Sequence, residues 1–374
     1  MKIEILKDNL KNGLQIVEKI VGKNLSLPIL DNVLMSTEDN YLSMSSTDLE
    51  TAIKLWILVK IVKKGKIAVP AKFLSSFVSL LPNEKISIEE NEKGIYIECK
   101  NFKNKIQGFN AEEFPLIPEF KNANNIKIDN KKLCQGISQV ADICSLSQNR
   151  PEISGVYFLF SKNLIKIVAT DSFRLAEKTI ILDKPVEKDF SLILPQKPAK
   201  EIINILMEKD GSTNMYFLPN QVMVEVPFAD VDHPQVQIIS RLIEGEYPNY
   251  EEIIPKKFKT QVVLQRDEFL NQIKTASLFS GKVSEVKITV NTEKKEIEIF
   301  AQNPDIGESN SSIPCKIEGE DVSVAFNYKF LIDGLQNIKS SEIIFGISKE
   351  EGPCVLKPVG DASYIYVVMP IKST

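Results

Sequence analysis

The sequence holds little with which to make or break a bond. Its one histidine, His233, lies in the loop-like stretch ADVDHPQ, so neither a histidine pair for zinc nor a serine–histidine relay can be assembled, and a lone loop histidine is expected to be exposed. No G-x-S-x-G, G-x-x-x-x-G-K-[ST] or G-x-G-x-x-G occurs. Asp48, Asp171 and Asp305 stand at related places in three different parts of the chain and cannot share one carboxylate site. The five cysteines, Cys99, Cys134, Cys144, Cys315 and Cys354, are odd in number and form no C-x-x-C pair, which indicates reduced core thiols and neither a disulfide framework nor a zinc site. An enzyme is therefore disfavoured. What remains is the chemistry of holding: lysines near helix starts, and a Thr-Asp turn written twice, as SSTDLET from Ser45 and as VATDSFRLAEK from Val168.

The elements that would position these residues repeat as well. Three amphipathic segments begin at Asp8, Asp129 and Arg266, with Leu10, Leu133 and Phe269 in register at separations of 123 and 136. A second helical set begins at Val69, Leu194 and Ala325. Pro70 and Pro195 are 125 apart, and Phe326 follows 131 later. Strand-like alternations lie between them, as in YLSMSS, LIKIVAT and EIEIFAQ, with Ala169 and Ala301 separated by 132. The first two blocks close on EEFPLIP and GEYPNYEEIIP, and YIYVVMP supplies a third closing strand. The chain thus reads as one α+β module of about 125 residues used three times, over 1–121, 122–255 and 256–374. Each module should set two helices on one face of antiparallel sheet, which would put six helices on one side of the chain.

That helical face carries Lys11, Lys19, Lys23, Lys72, Lys131, Lys132, Lys197, Lys200 and Lys329, with Ser75, Ser76 and Ser79 beside Lys72. One lysine on a helix is ordinary solvated surface. A set recurring at one register can form a wall for phosphates, a contact that is independent of base sequence and sensitive to salt. The net charge of −4 does not oppose this, because acidic runs such as EKISIEENEKGIYIE and IEGED belong to strands and loops elsewhere.

The threefold repeat, together with LPILDNVLM, ATDSFRLA, LIEGEYPNY and the terminal YVVMPIK, resembles the beta subunit of bacterial DNA polymerase III, the sliding clamp family, along the whole chain and in order. The resemblance implies a head-to-tail homodimer closed into a ring of six domains, with helices around the hole and sheets outside. It implies DNA processivity and no catalysis, no cofactor and no metal. Its partners would be duplex DNA, the polymerase, the clamp loader and repair proteins that bind through short linear peptides. It also implies a hydrophobic peptide cleft, here made by Ile153, Thr170, Ser172, Phe173, Arg174, Leu175, Pro248 and Ile253 with Val367, Val368, Met369, Pro370 and Ile371. Arg174 would steady the peptide at the rim. DNA would meet Lys23, Asn24, Lys72, Lys197, Lys200 and Lys329, and the subunit contact would use Ile106, Leu278 and Phe279.

Three departures stand out. Ser172 and Phe173 occupy places where the family usually has Gly-His. The tail continues through Lys372, Ser373 and Thr374, and Lys23 with Asn24 stands where an arginine is usual. A lysine there would hold phosphate without the bidentate fork. The longest apolar run, YIYVVMPI, is too short to span a bilayer, and the first residues lack a signal-peptide core, so a cytosolic location is expected. A scaffolding repeat protein that binds peptides but not DNA stays open as the alternative.

Overall fold

The computed structural model describes residues 1–22, 27–120, 123–147, 149–231 and 233–371. The first repeat runs β1 (Lys2–Leu6), α1 (Lys7–Val17), β2 (Asn32–Glu38), β3 (Tyr41–Thr47), β4 (Thr51–Leu58), β5 (Lys60–Lys63), β6 (Lys66–Pro70), α2 (Ala71–Leu80), β7 (Lys85–Asn91), β8 (Gly94–Cys99) and β9 (Phe102–Gln107). The middle repeat runs β10 (Asn124–Asp129), α3 (Asn130–Ser138), β11 (Gly155–Ser161), β12 (Leu164–Thr170), β13 (Arg174–Ile181), β14 (Phe190–Pro195), α4 (Gln196–Leu206), β15 (Ser212–Leu218), β16 (Gln221–Pro227) and β17 (Pro234–Arg241). The third runs β18 (Thr260–Gln265), α5 (Arg266–Ser277), β19 (Glu285–Asn291), β20 (Glu296–Asn303), β21 (Gly307–Pro314), β22 (Lys316–Gly319), β23 (Val322–Asn327), α6 (Tyr328–Asn337), β24 (Glu342–Ile347), β25 (Cys354–Pro358) and β26 (Tyr364–Val368).

Contacts divide the chain into two compact units, 1–131 with 201–242 and 132–200 with 243–374, so the strands of the middle repeat are shared between them. The first unit holds a sheet ordered β5-β1-β7-β8-β9 and another ordered β10-β15-β16-β17-β4-β3-β2-β6. The second holds β14-β11-β12-β13-β26-β25-β24-β18-β22 and β21-β20-β19-β23. All strand pairs described are antiparallel, which lets hairpins carry most connections. Two junctions splice one repeat to the next by main-chain hydrogen bonds: β4 beside β17, with Ile53 opposite Ile238, and β13 beside β26, with Ala176 opposite Tyr366.

In the first unit, α1 buries Leu10, Leu14 and Val17, which lie on one stripe, and packs on α2, β3 and β4. Gly13 permits that approach, since a Cβ there would come within 2.4 Å of the Met44 side chain. In the second unit, α5 buries Phe269, Leu270, Ile273 and Ala276 against α6 and β20. The helix pair of the first and third repeats therefore lies on one sheet face, as the pattern predicts.

One expectation needs correcting. His233 is not an exposed loop residue. It is half-buried, its ring stacked on Tyr41 at 4.2 Å and edge-on to Trp56 at 5.6 Å, with Phe228 at 6.0 Å. The loop folds back where β17 meets β4, and the imidazole fills the aromatic gap while Nδ1 donates to the Pro234 carbonyl at 2.7 Å. None of the five cysteines forms a disulfide; Cys99, Cys134, Cys144 and Cys354 are buried, and Cys315 is partly covered. Burial pushes the Cys144 and Cys354 thiols up to about 12 and the Cys315 thiol up to about 11, which keeps them protonated and unreactive near neutrality. No helix among the described residues is long and apolar enough to cross a membrane.

Candidate peptide-binding cleft

The second junction gathers the residues that the sequence singles out. Between β12 and β13 the chain turns through TDSF, and this turn is built from its own side chains. The Thr170 hydroxyl donates to the Arg174 carbonyl at 2.7 Å, and Asp171 Oδ1 accepts from the Phe173 and Arg174 amides at 2.9 Å each. Ser172 takes φ of 77°, a left-handed conformation that costs a side chain about 1–2 kcal/mol. Its hydroxyl accepts from Arg150 Nη1 at 3.0 Å.

The turn is tied to the C-terminal strand. Arg174 lies opposite Val368 and Leu175 opposite Val367, and beyond the ladder the Met369 amide donates to the Phe173 carbonyl at 2.8 Å. The Ile371 amide then donates to the Ala325 carbonyl, again at 2.8 Å, so the tail spans from the turn to β23. Across one face of this junction runs the segment 245–254. Tyr247 stacks on Tyr157 at 4.5 Å, and the Tyr250 hydroxyl donates to the buried Glu177 carboxylate at 2.7 Å. Lys166 lies 3.6 Å from Glu177 and 2.6 Å from Glu251. Burial works against its charge, and the two carboxylates outweigh that, so its pKa is raised. Burial also raises the Tyr247 and Tyr250 phenols, which stay protonated.

Alternation along β13 and β26 sorts the expected cleft residues onto two faces. Leu175 and Val367 face the segment 245–254 and form a cluster with Val168, Val355 and Tyr250. They are 2% and 1% exposed, so they are floor, with almost no surface to offer a partner in this conformation. Ile153 and Thr170 are buried as well, and the Thr170 hydroxyl is already engaged within the turn. Val368 belongs to the opposite face with Tyr364 and Tyr366, so it does not share a wall with Val367. The reason is the two-residue period of a strand. Accessible surface comes from Phe173, 61% exposed, from Ile253, and from the partly covered Pro248, Met369, Pro370 and Ile371.

Arg174 also departs from the sequence reading. Its Nε donates to Asp171 Oδ2 at 3.0 Å, its Nη1 donates to Asp333, and its guanidinium lies 4.7 Å over the Phe330 ring. Phe330 was missed. It comes from α6, stacks with Phe173 at 6.3 Å and extends the apolar surface beyond the turn. Arg150 was missed too, because nothing in the sequence links it to a turn 22 residues later. A threefold register of the second helices was the only available pointer to Phe330, since it matches the exposed Phe73 in α2.

The expected DNA residues fall into two groups. Lys72, Lys197 and Lys329 are each the second residue of α2, α4 and α6, and all three are exposed. Lys200 is held by Asp142 at 2.6 Å, Lys19 by Glu201 at 3.8 Å and Lys131 by Asp210 at 2.8 Å. Lys23, Asn24, Lys372, Ser373 and Thr374 lie outside the described residues. Of the expected subunit-contact residues, Leu278 is 70% exposed and Phe279 partly covered, while Ile106 is already buried under its own sheet.

Three family descriptions match the chain in order: DNA polymerase III beta subunit, N-terminal domain, over residues 1–118; central domain, over 127–249; and C-terminal domain, over 251–372. A Bacillus subtilis protein described as a beta sliding clamp is 28% identical, the match covering 100% of both chains. The crystal structure of the DNA polymerase sliding clamp from Bacillus subtilis aligns with a TM-score of 0.95 at 27% identity, and that of the DNA polymerase III beta subunit from Thermotoga maritima with 0.91 at 26%, both covering 100% of each chain. The chain belongs to the DNA polymerase III beta subunit family, the bacterial sliding clamps.

Proposed function

We propose that two copies of this chain close head to tail around duplex DNA and act as a processivity factor, tethering the replicative polymerase, the clamp loader and other proteins that bring a short apolar peptide. The role is not enzymatic, and a cytoplasmic location goes with it. The observation that carries this reading is a pair of open sheet edges. At the two internal junctions, β17 and β26 end one sheet of a repeat and meet β4 and β13 of another. Their counterparts in the repeat pattern are β9 and β21, and each of these ends its sheet without a neighbour among the described residues. An open edge invites pairing.

The register of that pairing follows from the internal ones. Ile53, Ala176 and Ser309 each lie opposite matching residues of their own hairpins, Ser46, Ala169 and Ala301. Ile238, Tyr366 and Asn104 likewise lie opposite Val224, Leu356 and Ile97. Since Ile53 meets Ile238 and Ala176 meets Tyr366, Ser309 of one copy should meet Asn104 of the other. Phe102 supports this: it matches the fully buried Val236 and Tyr364, yet is 48% exposed. Leu278 would face the end of α2, where Leu80 is 83% exposed. Ile106 then serves through its main chain.

In the same reading Lys72, Lys197, Lys200 and Lys329 meet phosphates, with Lys23 and Asn24, and the cleft at the second junction takes the peptide through Phe173, Pro248, Ile253, Met369, Pro370 and Ile371 over a floor of Ile153, Thr170, Leu175 and Val367. Two single variants test the assembly, Asn104→Cys and Ser309→Cys. Residues directly opposite on antiparallel strands have Cβ atoms roughly 4.5–5.5 Å apart, close to disulfide reach. Each variant alone should stay uncrosslinked on oxidation, and the mixture should give a covalent dimer on a non-reducing gel. A mixture that gives none would remove this edge pairing.

A further inference from the structure

We infer that Arg174 is a positioning residue that sets the spacing between the two halves of the cleft and takes no direct part in holding the peptide; this rests on the cleft reading above. The two halves come from different repeats. One is the turn of the middle repeat with the segment 245–254, presenting Phe173, Pro248 and Ile253. The other is α6 of the third repeat with the tail, presenting Phe330, Met369 and Pro370. The β13–β26 ladder joins their backbones, but a ladder constrains the position of α6 only through what packs between.

Arg174 packs between on the side of the turn, while at the far end of α6 Gln139 of the middle repeat donates from Nε2 to the Asn337 carbonyl at 2.7 Å. The Arg174 Nε is held by Asp171 on its own turn, its Nη1 by Asp333 on α6, and its guanidinium face rests on Phe330, one turn back from Asp333 on the same helix. Its side chain is 12% exposed. A guanidinium is a rigid plane with donors in fixed directions, so it transmits the position of one carboxylate to the other as a flexible ammonium would not. With both edges bonded and one face on an aromatic ring, little of it remains for a peptide. Gly334 and Tyr366 complete the joint. A Cβ at Gly334 would come within 2.6 Å of the Tyr366 ring, and the Tyr366 hydroxyl donates to the Phe330 carbonyl at 2.7 Å. The helix is thus seated on β26, and Arg174 fixes its rotation towards the turn.

The consequence is thermodynamic. A peptide that engages both halves gains from having the second anchor held at the right distance once the first has bound, in the manner of an effective concentration. Loosening the spacing lowers that gain but leaves each half able to hold its own part. Direct contact predicts the opposite: loss of Arg174 would weaken the part of the peptide nearest the turn as much as the whole.

The experiment uses fluorescein-labelled ten-residue peptides that tile the replicative polymerase subunit of the same organism. The tightest binder to the parent is then cut into two halves, and affinities are read by anisotropy for Arg174→Met, Arg174→Lys and Asp333→Asn, with thermal unfolding recorded for each. The whole peptide should weaken about 10-fold on Arg174→Met and Asp333→Asn, and about 3-fold on Arg174→Lys, while each half stays within about 2-fold of its affinity for the parent. Asp333→Asn lies outside the turn and keeps the side-chain shape, so it carries the test if Arg174→Met does not fold. Equal weakening of a half and the whole, or no weakening of the whole by any variant, overturns the role of Arg174. Failure of every tiled peptide to bind the parent removes the cleft reading, and this inference with it.

Discussion

The two internal junctions use the same turn for different ends. In the first, Thr47 donates to the Thr51 carbonyl at 2.9 Å and Asp48 Oδ1 accepts from the Glu50 and Thr51 amides at 3.2 and 2.7 Å; in the second, Thr170 and Asp171 do the same for Arg174 and Phe173. Even the strained residue recurs, Leu49 with φ of 75° and Ser172 with 77°. The turn is therefore a device for ending one strand and starting the next. The structure gives that role to both copies that the sequence writes. What differs is the surroundings. The first turn is followed by a plain strand pairing, and its junction is closed by the His233 aromatic box and by Arg241 with Glu50 at 3.5 Å. The second is crossed by the tail and gripped by α6 through Arg174. An exposed apolar surface arises where the same backbone leaves Phe173 uncovered between two repeats.

The largest effect should come from removing the element that only the second junction has. Deleting Met369 and all that follows takes away the hydrogen bonds to Phe173 and Ala325 together with part of the apolar surface. Peptide affinity should fall more than about 100-fold, which corresponds to about 2.7 kcal/mol. Sedimentation should still show a dimer, because the open edges are elsewhere. Undiminished binding would mean that the two junctions do not differ in the way described.

Next in size is the pair Asp48→Ala and Asp171→Ala. Each removes an acceptor for two backbone amides and should cost about 1 kcal/mol in urea unfolding. Asp171→Ala should cost about 1–2 kcal/mol more, since it strips a charged partner from a largely buried guanidinium. Equal losses would show that Arg174 is not held as the structure has it. The smallest effect runs the other way. Leu49→Gly should stabilise by up to about 1 kcal/mol by relieving a left-handed leucine, and Ser172→Gly by less, because it also gives up the bond to Arg150. A larger gain at Ser172 would point to strain particular to the cleft.

Much of this was legible in sequence because the repeat writes each element three times. Leu10, Leu133 and Phe269 sit in helices on matching stripes, and Ala169 with Ala301 marks the same strand position, so helix pairs and hairpins could be placed without a structure. The division into two compact units was not legible, because it depends on which sheet edge each repeat shares with the next. Among the site residues, Phe173 and the tail were reached through the resemblance of TDSFRLA and YVVMPIK to the family. Phe330 and Arg150 were not, since they reach the turn only through the fold. The partner of Arg174 was not legible either: an arginine beside an apolar turn reads as a rim cation, and its pairing with Asp333, 159 residues away, comes only from the fold. Val368 came with Val367 from the resemblance to the family, whereas a strand sends neighbours to opposite faces.

The measurement that bears most directly on the central claim is retention on DNA. The protein is loaded on a nicked circular plasmid with the clamp loader of the same organism, passed through a sizing column at a salt concentration that strips ordinary charge contacts, and followed after the circle is cut once. A closed ring stays with the intact circle and leaves soon after linearisation, because topology holds it and salt-sensitive contacts do not. Elution at the same salt from circular and linear DNA would contradict the account.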